Sequence, residues 1–311
     1  GLKEVITGDT LCTPADRTIL AGLSIPEPVV SLAVEPKGVD DREKLLPALE
    51  KLQWEDPTFR VHEDVETGQT ILTGMGELHL EIVVDRLARE FGVAVKTGRP
   101  QVVYRETLRK AVQHRELFRV EQEGKVQAGE VLLVMKPLER GAGVHLSMSL
   151  SPEGPLPAQL KTALTDSLQR GCEAGGLAGY PLTDIAIDVR EAPFEPGTTS
   201  ESGIRAAGQR GLYRALRDAG SILLEPIMSL EITSPGDATG RVIGTLQQKR
   251  GRVEGIEVHG EMESIRAKVP LAELFGYMTE LRSATKGRGT FSMEFSSFAD
   301  APSEIQQKFG L

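Results

Sequence analysis

Arg282, Lys286 and Arg288 crowd around Gly287 and Gly289, and Lys249-Arg250-Gly251-Arg252 closes an apolar helical stretch. Glycine lets a backbone come close to a phosphate chain, and cations placed there release condensed counterions. Both groups are therefore candidate RNA contacts. Each has a structural alternative: the first is a solvated helix-to-strand turn, and the second sits where a helix dipole favours cations. Arg205, Arg210, Arg214 and Arg217 form a third basic stretch, expected to be the solvated face of a helix. The segment Glu191-Ala192-Pro193-Phe194-Glu195-Pro196-Gly197-Thr198-Thr199-Ser200 offers other chemistry. Its prolines restrict the backbone and hold the loop out from the body. An exposed Phe194 there would stack on a base or wedge into a partner, unless it tucks back over its domain.

Catalytic and metal chemistry finds little support. No G-x-x-x-x-G-K-[ST] phosphate loop occurs. His62, His79, His114, His145 and His259 are scattered without ligand spacing. Glu77 and His79 stand two apart at a helix start, on different faces, and suit helix-start polarity better than acid–base work. Glu55-Asp56-Pro57 reads as a turn with exposed carboxylates. Cys12 and Cys172 share no metal spacing and fit a reducing, cytoplasmic compartment. The net charge of -9 excludes a protein basic all over. It leaves room for a basic patch acting within a Debye length of roughly 10 Å.

These residues need elements to hold them. Length (311 residues) and composition (40% apolar, 26% charged) suit two or three globular domains. No apolar run approaches the roughly 18 residues of a membrane span. The start, Gly1-Leu2-Lys3-Glu4, has neither a signal-peptide pattern nor an initiator Met, which suggests the middle of a longer chain.

Residues 29–98 predict strand, helix, strand, strand, helix, strand. Asp40-Asp41 would supply cap and first-turn carboxylates, and Leu45, Leu46, Leu49 and Leu52 one helical face. Glu66-Thr67-Gly68 signals a turn between the second and third strands. Leu80, Val83, Leu87 and Phe91 mark the second helix. Residues 227–297 repeat the order. Met228, Leu230 and Ile232 alternate as a strand. Val242, Ile243 and Leu246 are helical, and strands flank Gly260. One stripe from Pro270 through Leu271, Leu274, Phe275, Met278 and Leu281 is expected to be a helix. Phe291, Met293 and Phe295 alternate last. Such units form four-stranded sheets with two helices on one face. Residues 105–222 differ: antiparallel strands, a helix opened by Pro157, a strand at 185–189, the long loop 190–201, and a helix near 202–219.

The chain resembles elongation factor G, the ribosomal translocase GTPase. The matching segments are 8–11 (GDTL), 26–37 (PEPVVSLAVEPK), 55–60 (EDPTFR), 74–86 (GMGELHLEIVVDR), 100–107 (PQVVYRET), 177–181 (LAGYP), 223–228 (LLEPIM) and 269–288 (VPLAELFGYMTELRSATKGR). The resemblance implies an α+β chain. Residues 1–25 would be the tail of an upstream β-barrel domain and a linker ending Pro26-Glu27-Pro28. Residues 26–103 and 227–311 would be ferredoxin-like βαββαβ sandwiches. Between them, 104–226 would be a ribosomal-protein-like domain with a left-handed βαβ crossover. It also implies that GTP and Mg belong to a domain absent here, so this stretch holds no cofactor or metal of its own and is not catalytic alone.

The partner so implied is the ribosome, through RNA and proteins of both subunits. The implied contacts are Phe194, Glu195, Pro196, Gly197, Thr198, Lys249, Arg250, Arg282, Lys286 and Arg288, on a protein expected to be monomeric, cytoplasmic and free of membrane. Two departures matter. The family's Ser-Gly-Gly-x-Gly-Gln loop is missing near Val120-Glu121-Gln122-Glu123-Gly124-Lys125, and Glu195 falls where the translocase carries a tip histidine. Pro196-Gly197-Thr198 is closer to the second, mitochondrial-type paralogue, which splits ribosomes with ribosome recycling factor. Translocation and recycling therefore compete. A ribosome-protection protein, a stand-alone RNA-binding module and a small-molecule enzyme stand as alternatives.

Overall fold

A computed structural model of the chain describes Thr7, Thr10, Cys12, Thr13 and residues 28–63, 69–122, 125–150 and 156–311. Most of the expected tail at 1–25, the linker residues 26–27, the turn at 66–68 and Glu123-Gly124 lie outside the described residues. The chain divides into two compact units, Gly1–Val103 with Pro226–Ser296, and Tyr104–Glu225 with Ser297–Leu311.

The first unit opens with β1 (Val30–Pro36), α1 (Val39–Glu55), β2 (Arg60–Glu63), β3 (Thr70–Gly74), α2 (Glu77–Phe91), β4 (Val95–Thr97) and β5 (Gln101–Val102). The sheet runs β2-β3-β1-β4, with β5 also on β1, and every pairing is antiparallel. Val30, Leu32 and Val34 alternate inward on β1, under Leu45, Leu49 and Leu52 of α1 and Leu80, Val83 and Leu87 of α2. Two local expectations change. The α1 cap is Gly38, not an aspartate; Asp41 instead accepts the Ala94 N–H at 2.9 Å and ties the helix start to the approach to β4. Leu46 is 54% exposed, because the buried face turns through Leu45, Ala48, Leu49 and Leu52 at 3.6-residue spacing. α2 ends at Gly92, whose φ of 64° a side chain would resist.

The second unit holds β6 (Arg105–Leu108), β7 (Val112–Gln122), β8 (Lys125–Pro137), β9 (Val144–Met148), α3 (Ala158–Ala174), β10 (Ile185–Glu191) and α4 (Glu201–Ala219). Its sheet runs β7-β8-β10-β9, with β9 and β10 parallel across the α3 crossover and the other pairs antiparallel. Val131, Leu133 and Met135 of β8 and Ile185, Ile187 and Val189 of β10 share one core with Leu164 and Leu168 of α3 and Ile204 and Leu212 of α4. Both helices therefore cover the same sheet face.

β11 (Ser221–Pro235) follows; its first residues pair with β6 in the second unit. In the first unit come α5 (Thr239–Gln248), β12 (Arg252–His259), β13 (Met262–Pro270), α6 (Tyr277–Thr285) and β14 (Thr290–Asp300), whose last residues from Ser297 fall in the second unit. The order β12-β13-β11-β14 repeats the topology of the opening sheet. The single helix expected from Pro270 is broken: a 3-10 turn, Leu271–Glu273, precedes α6, with Gly276 at φ 76° between them. Tyr277 is consequently fully buried, while Phe275 and Met278 are only partly covered. The final helix, α7 (Ser303–Lys308), belongs to the second unit, where Phe309 meets Tyr104 and Tyr180 at ring distances of 5.6 and 5.4 Å.

Candidate nucleic-acid interface

In the second unit, Glu195-Pro196-Gly197-Thr198 folds into a type II turn. Thr198 N–H donates to the Glu195 carbonyl at 3.2 Å, and Gly197 takes φ 87°. Proline presets the first corner and glycine alone is at ease in the second. The Thr198 hydroxyl donates to the Glu195 carboxylate at 3.1 Å, and the Glu195 N–H donates to the Thr199 hydroxyl at 2.8 Å. Glu195, Pro196 and Gly197 are exposed at the apex. Phe194 is not exposed as expected: it is partly buried against the core beneath, because the chain turns inward at buried Ala192 and carries the ring with it.

The loop is held at its far end. Ala128 N–H donates to the Thr198 carbonyl at 2.9 Å, and Ser200 N–H donates to the Ala128 carbonyl at 3.0 Å. Ser200 caps α4 by accepting the Gly203 N–H at 3.1 Å, and the Ser202 hydroxyl donates to Gln127 at 2.7 Å. A Cβ on Gly203 would lie 2.2 Å from the Ala128 carbonyl oxygen, and one on Gly129 2.4 Å from the Gly203 backbone. Helix and strand thus touch backbone to backbone directly behind the apex.

In the first unit, the basic turn after α6 is closed by its own backbone. Gly287 N–H donates to the Arg282 carbonyl at 2.7 Å, and Gly289 N–H donates to the Thr285 hydroxyl at 2.8 Å. Gly289 is required by packing, since a Cβ there would meet Thr285 at 2.7 Å. Of the five cations that the resemblance marks as contacts in this unit, three are engaged. Lys249 pairs with Glu280 at 2.9 Å, Arg250 with Glu273 at 3.0 Å, and Arg288 with Asp237 at 3.0 Å. Arg282 and Lys286 are exposed, with no carboxylate within salt-bridge distance among the described residues. The Arg288 hydrogen bond, with the charges of Lys286 and Arg241, holds the Asp237 carboxyl below its usual range. Arg241 is a member of this cluster that sequence reasoning missed; it lies on α5, far from the turn in sequence.

The arginines of α4 are more engaged than a solvated face would be. Arg205 bonds Glu201 at 3.0 Å, Arg210 lies 4.8 Å over the Phe118 ring, and Arg214 reaches the 2%-exposed carboxylate of Glu116 at 2.8 Å. Asp56, expected in a bare turn, accepts from His79 at 2.9 Å, while the Met75 N–H donates to the other ring nitrogen at 3.1 Å. The imidazole is thereby fixed as the Nε2–H tautomer. No group of three or more His, Cys, Asp or Glu side chains is placed to hold a metal among the described residues.

Three family models match the chain in succession: "Elongation Factor G, domain III" over residues 25–99, "Elongation factor G, domain IV" over 100–220, and "Elongation factor G C-terminus" over 222–309. The chain belongs to the elongation factor G family. It is 67% identical over 311 residues to elongation factor G 1 of Geobacter sulfurreducens and 65% identical to elongation factor G 2 of Geobacter metallireducens. In both cases all of this chain aligns with 45% of the relative. The chain thus spans less than half the length of these elongation factor G relatives. A crystal structure of a Thermus thermophilus protein superposes with a TM-score of 0.71 at 30% identity, over 96% of this chain and 44% of that one. The α+β architecture read from the sequence agrees with elongation factor G domains III, IV and C-terminus.

Proposed function

We propose that this chain is the ribosome-binding part of a GTP-driven translation factor that acts in translocation of tRNA and mRNA or in ribosome recycling. The relatives are more than twice as long. The domain that binds GTP and Mg would lie in that additional length, leaving this part to convert nucleotide state into contact with RNA and protein of both subunits. Residues 26–103, 104–226 and 227–311 would be its third, fourth and fifth domains. The protein would act as a monomer in the cytoplasm.

One observation carries the reading: Arg282 and Lys286 are exposed beside a closed turn, with no ion pair among the described residues to break before a phosphate arrives. Lys249, Arg250 and Arg288 would first have to leave their carboxylates, so they join the contact less readily. Replacing both Arg282 and Lys286 by Ala in the full-length factor should weaken ribosome binding and lower the salt dependence by about two phosphate contacts, a slope change near 1.8. Unchanged affinity with an unchanged slope would remove the phosphate role.

The tip favours recycling over translocation as the second reading. Glu195 puts a carboxylate at the exposed apex, where it repels an RNA backbone, and Pro196-Gly197-Thr198 fixes its presentation. Phe194 would act from below, bracing the turn. Ribosome splitting together with ribosome recycling factor should be robust and translocation feeble. Vigorous translocation by the full-length factor would sink this preference.

A further inference from the structure

Away from the tip, the second unit carries a groove of about 430 Å³ between the last turn of α3 and the outer side of α4. Its floor is apolar, from Leu212 and Leu216, and its α3 wall is bare backbone at Gly171 and Gly175. The wall is bare of necessity, since a Cβ on Gly171 would meet Leu212 at 2.6 Å. The α4 wall is different in kind. Tyr213 is 51% exposed beside Arg210 and Arg214.

Both arginines are held in place before any ligand arrives. Arg210 lies against the Phe118 ring at 4.8 Å, so one guanidinium face is used and the other is available for a second planar group. Arg214 makes both of its bonds to Glu116 through Nη1, at 2.8 and 3.1 Å. Among the described residues its Nε and Nη2 have no partner, and its side chain is 58% exposed. Arg217 adds a further cation one turn along the helix.

We infer that this groove is a second RNA site, which takes one unstacked nucleotide of a single-stranded segment. The base lies on the apolar floor between Tyr213 and the open face of Arg210, and its phosphate meets Arg214. An inorganic anion would leave the floor unfilled, and an apolar ligand would leave the arginines unused. A nucleotide matches both, because bases stack on aromatic rings and guanidinium planes while cations hold the backbone. The site is distinct from the tip and the basic turn of the proposed function, and its test does not need the ribosome.

The experiment uses the 311-residue chain and fluorescein-labelled octa-adenylate and octa-uridylate RNA, read by fluorescence anisotropy. Tyr213→Ala should bind about tenfold more weakly, as loss of one stacking platform does. Ala174→Phe, on the exposed last turn of α3, should fill the groove and weaken binding as much. Lys161→Ala, roughly 15 Å away along α3, should change affinity less than twofold. A 4-thiouridine-substituted oligonucleotide should photo-crosslink to the peptide containing Tyr213, a readout that stands even if a variant is unstable. No binding of either RNA, equal binding by all variants, or crosslinks only elsewhere would overturn the inference. Co-sedimentation of the unmodified chain with ribosomes, run in parallel, separates the two claims. Ribosome association without oligonucleotide binding sinks the groove alone, and the reverse sinks the proposed function alone.

Discussion

Glu106→Gln is the perturbation whose cost follows most directly from geometry. Glu106, on β6, is fully buried. One carboxylate oxygen accepts the N–H groups of Ala178 and Tyr180 at 2.9 and 3.0 Å. The other accepts the Leu177 N–H at 2.8 Å and the Ser221 hydroxyl at 2.5 Å. Glutamine keeps the shape but has one acceptor oxygen, so its amide NH2 must face one pair of donors. The Ser221 hydroxyl can rotate to accept, whereas the Leu177 N–H cannot. One orphaned buried N–H costs about 1–3 kcal/mol, and three weakened charge-assisted bonds add roughly 2 kcal/mol. Relief from burying a charge returns part of this, leaving a net loss of about 2–4 kcal/mol. With a urea m-value near 2 kcal/mol/M, the second unit's midpoint in far-UV circular dichroism should fall by about 1–2 M. Trp54, the only tryptophan, lies in the first unit, so its fluorescence transition should move less. A midpoint within about 0.3 M of the parent would show that this carboxylate does not organise the 176–180 loop.

Gly203→Ala should cost about 1–3 kcal/mol by pushing α4 off β8, and should speed amide exchange at Ala128 and Ser200; parental exchange rates there would contradict the backbone contact. Burial, with the neighbouring Glu173 charge, pushes the Cys172 thiol up to about 12, so at pH 8 only exposed Cys12 should be alkylated quickly in the folded chain. Two fast thiols would refute it. Burial works to raise the Asp56 pKa, but bonds from Thr58 and His79 outweigh it and hold it below the ordinary value. A carboxyl depressed in the folded state stabilises above its unfolded pKa, about 4, and that contribution is lost as pH falls through the folded value. The stability gap between the parent and Asp56→Asn should therefore be full at neutral pH and close as pH falls through the lowered folded-state pKa. A gap independent of pH would exclude the linkage.

The two repeated βαββαβ orders were legible because their apolar residues keep period 2 on β1 and β13 and period 3.6 on α2. Where two leucines adjoin, as Leu45-Leu46, composition could not say which one faces inward, and the helical rotation decided. The stripe after Pro270 misled because Phe275 and Met278 fit a helix that Gly276 interrupts. The candidate contacts were legible as residue types but not as available charges. Lys249 meets Glu280 and Arg288 meets Asp237 only through the folded sheet, across dozens of residues of chain. The pairing of His79 with Asp56 and the gathering of Arg241 with Lys286 around Asp237 were hidden for the same reason. The groove beside Tyr213 had no signal beyond the row of arginines.

The contact of Gly129 with Gly203 also sets how this tip can evolve. Between the Ala128–Thr199 bridge and the first turn of α4 there is no slack. One inserted residue there would advance the helix by about 1.5 Å and rotate it by about 100°. That rotation would carry Ile204, Gly208 and Leu212 out of the core together. The exposed side chain at position 195 can be exchanged at little cost beyond its bond from the Thr198 hydroxyl, whereas the backbone spacing cannot. The loop can thus change what it touches by substitution far more readily than by insertion or deletion, and natural variants should differ here in residue identity while keeping loop length fixed.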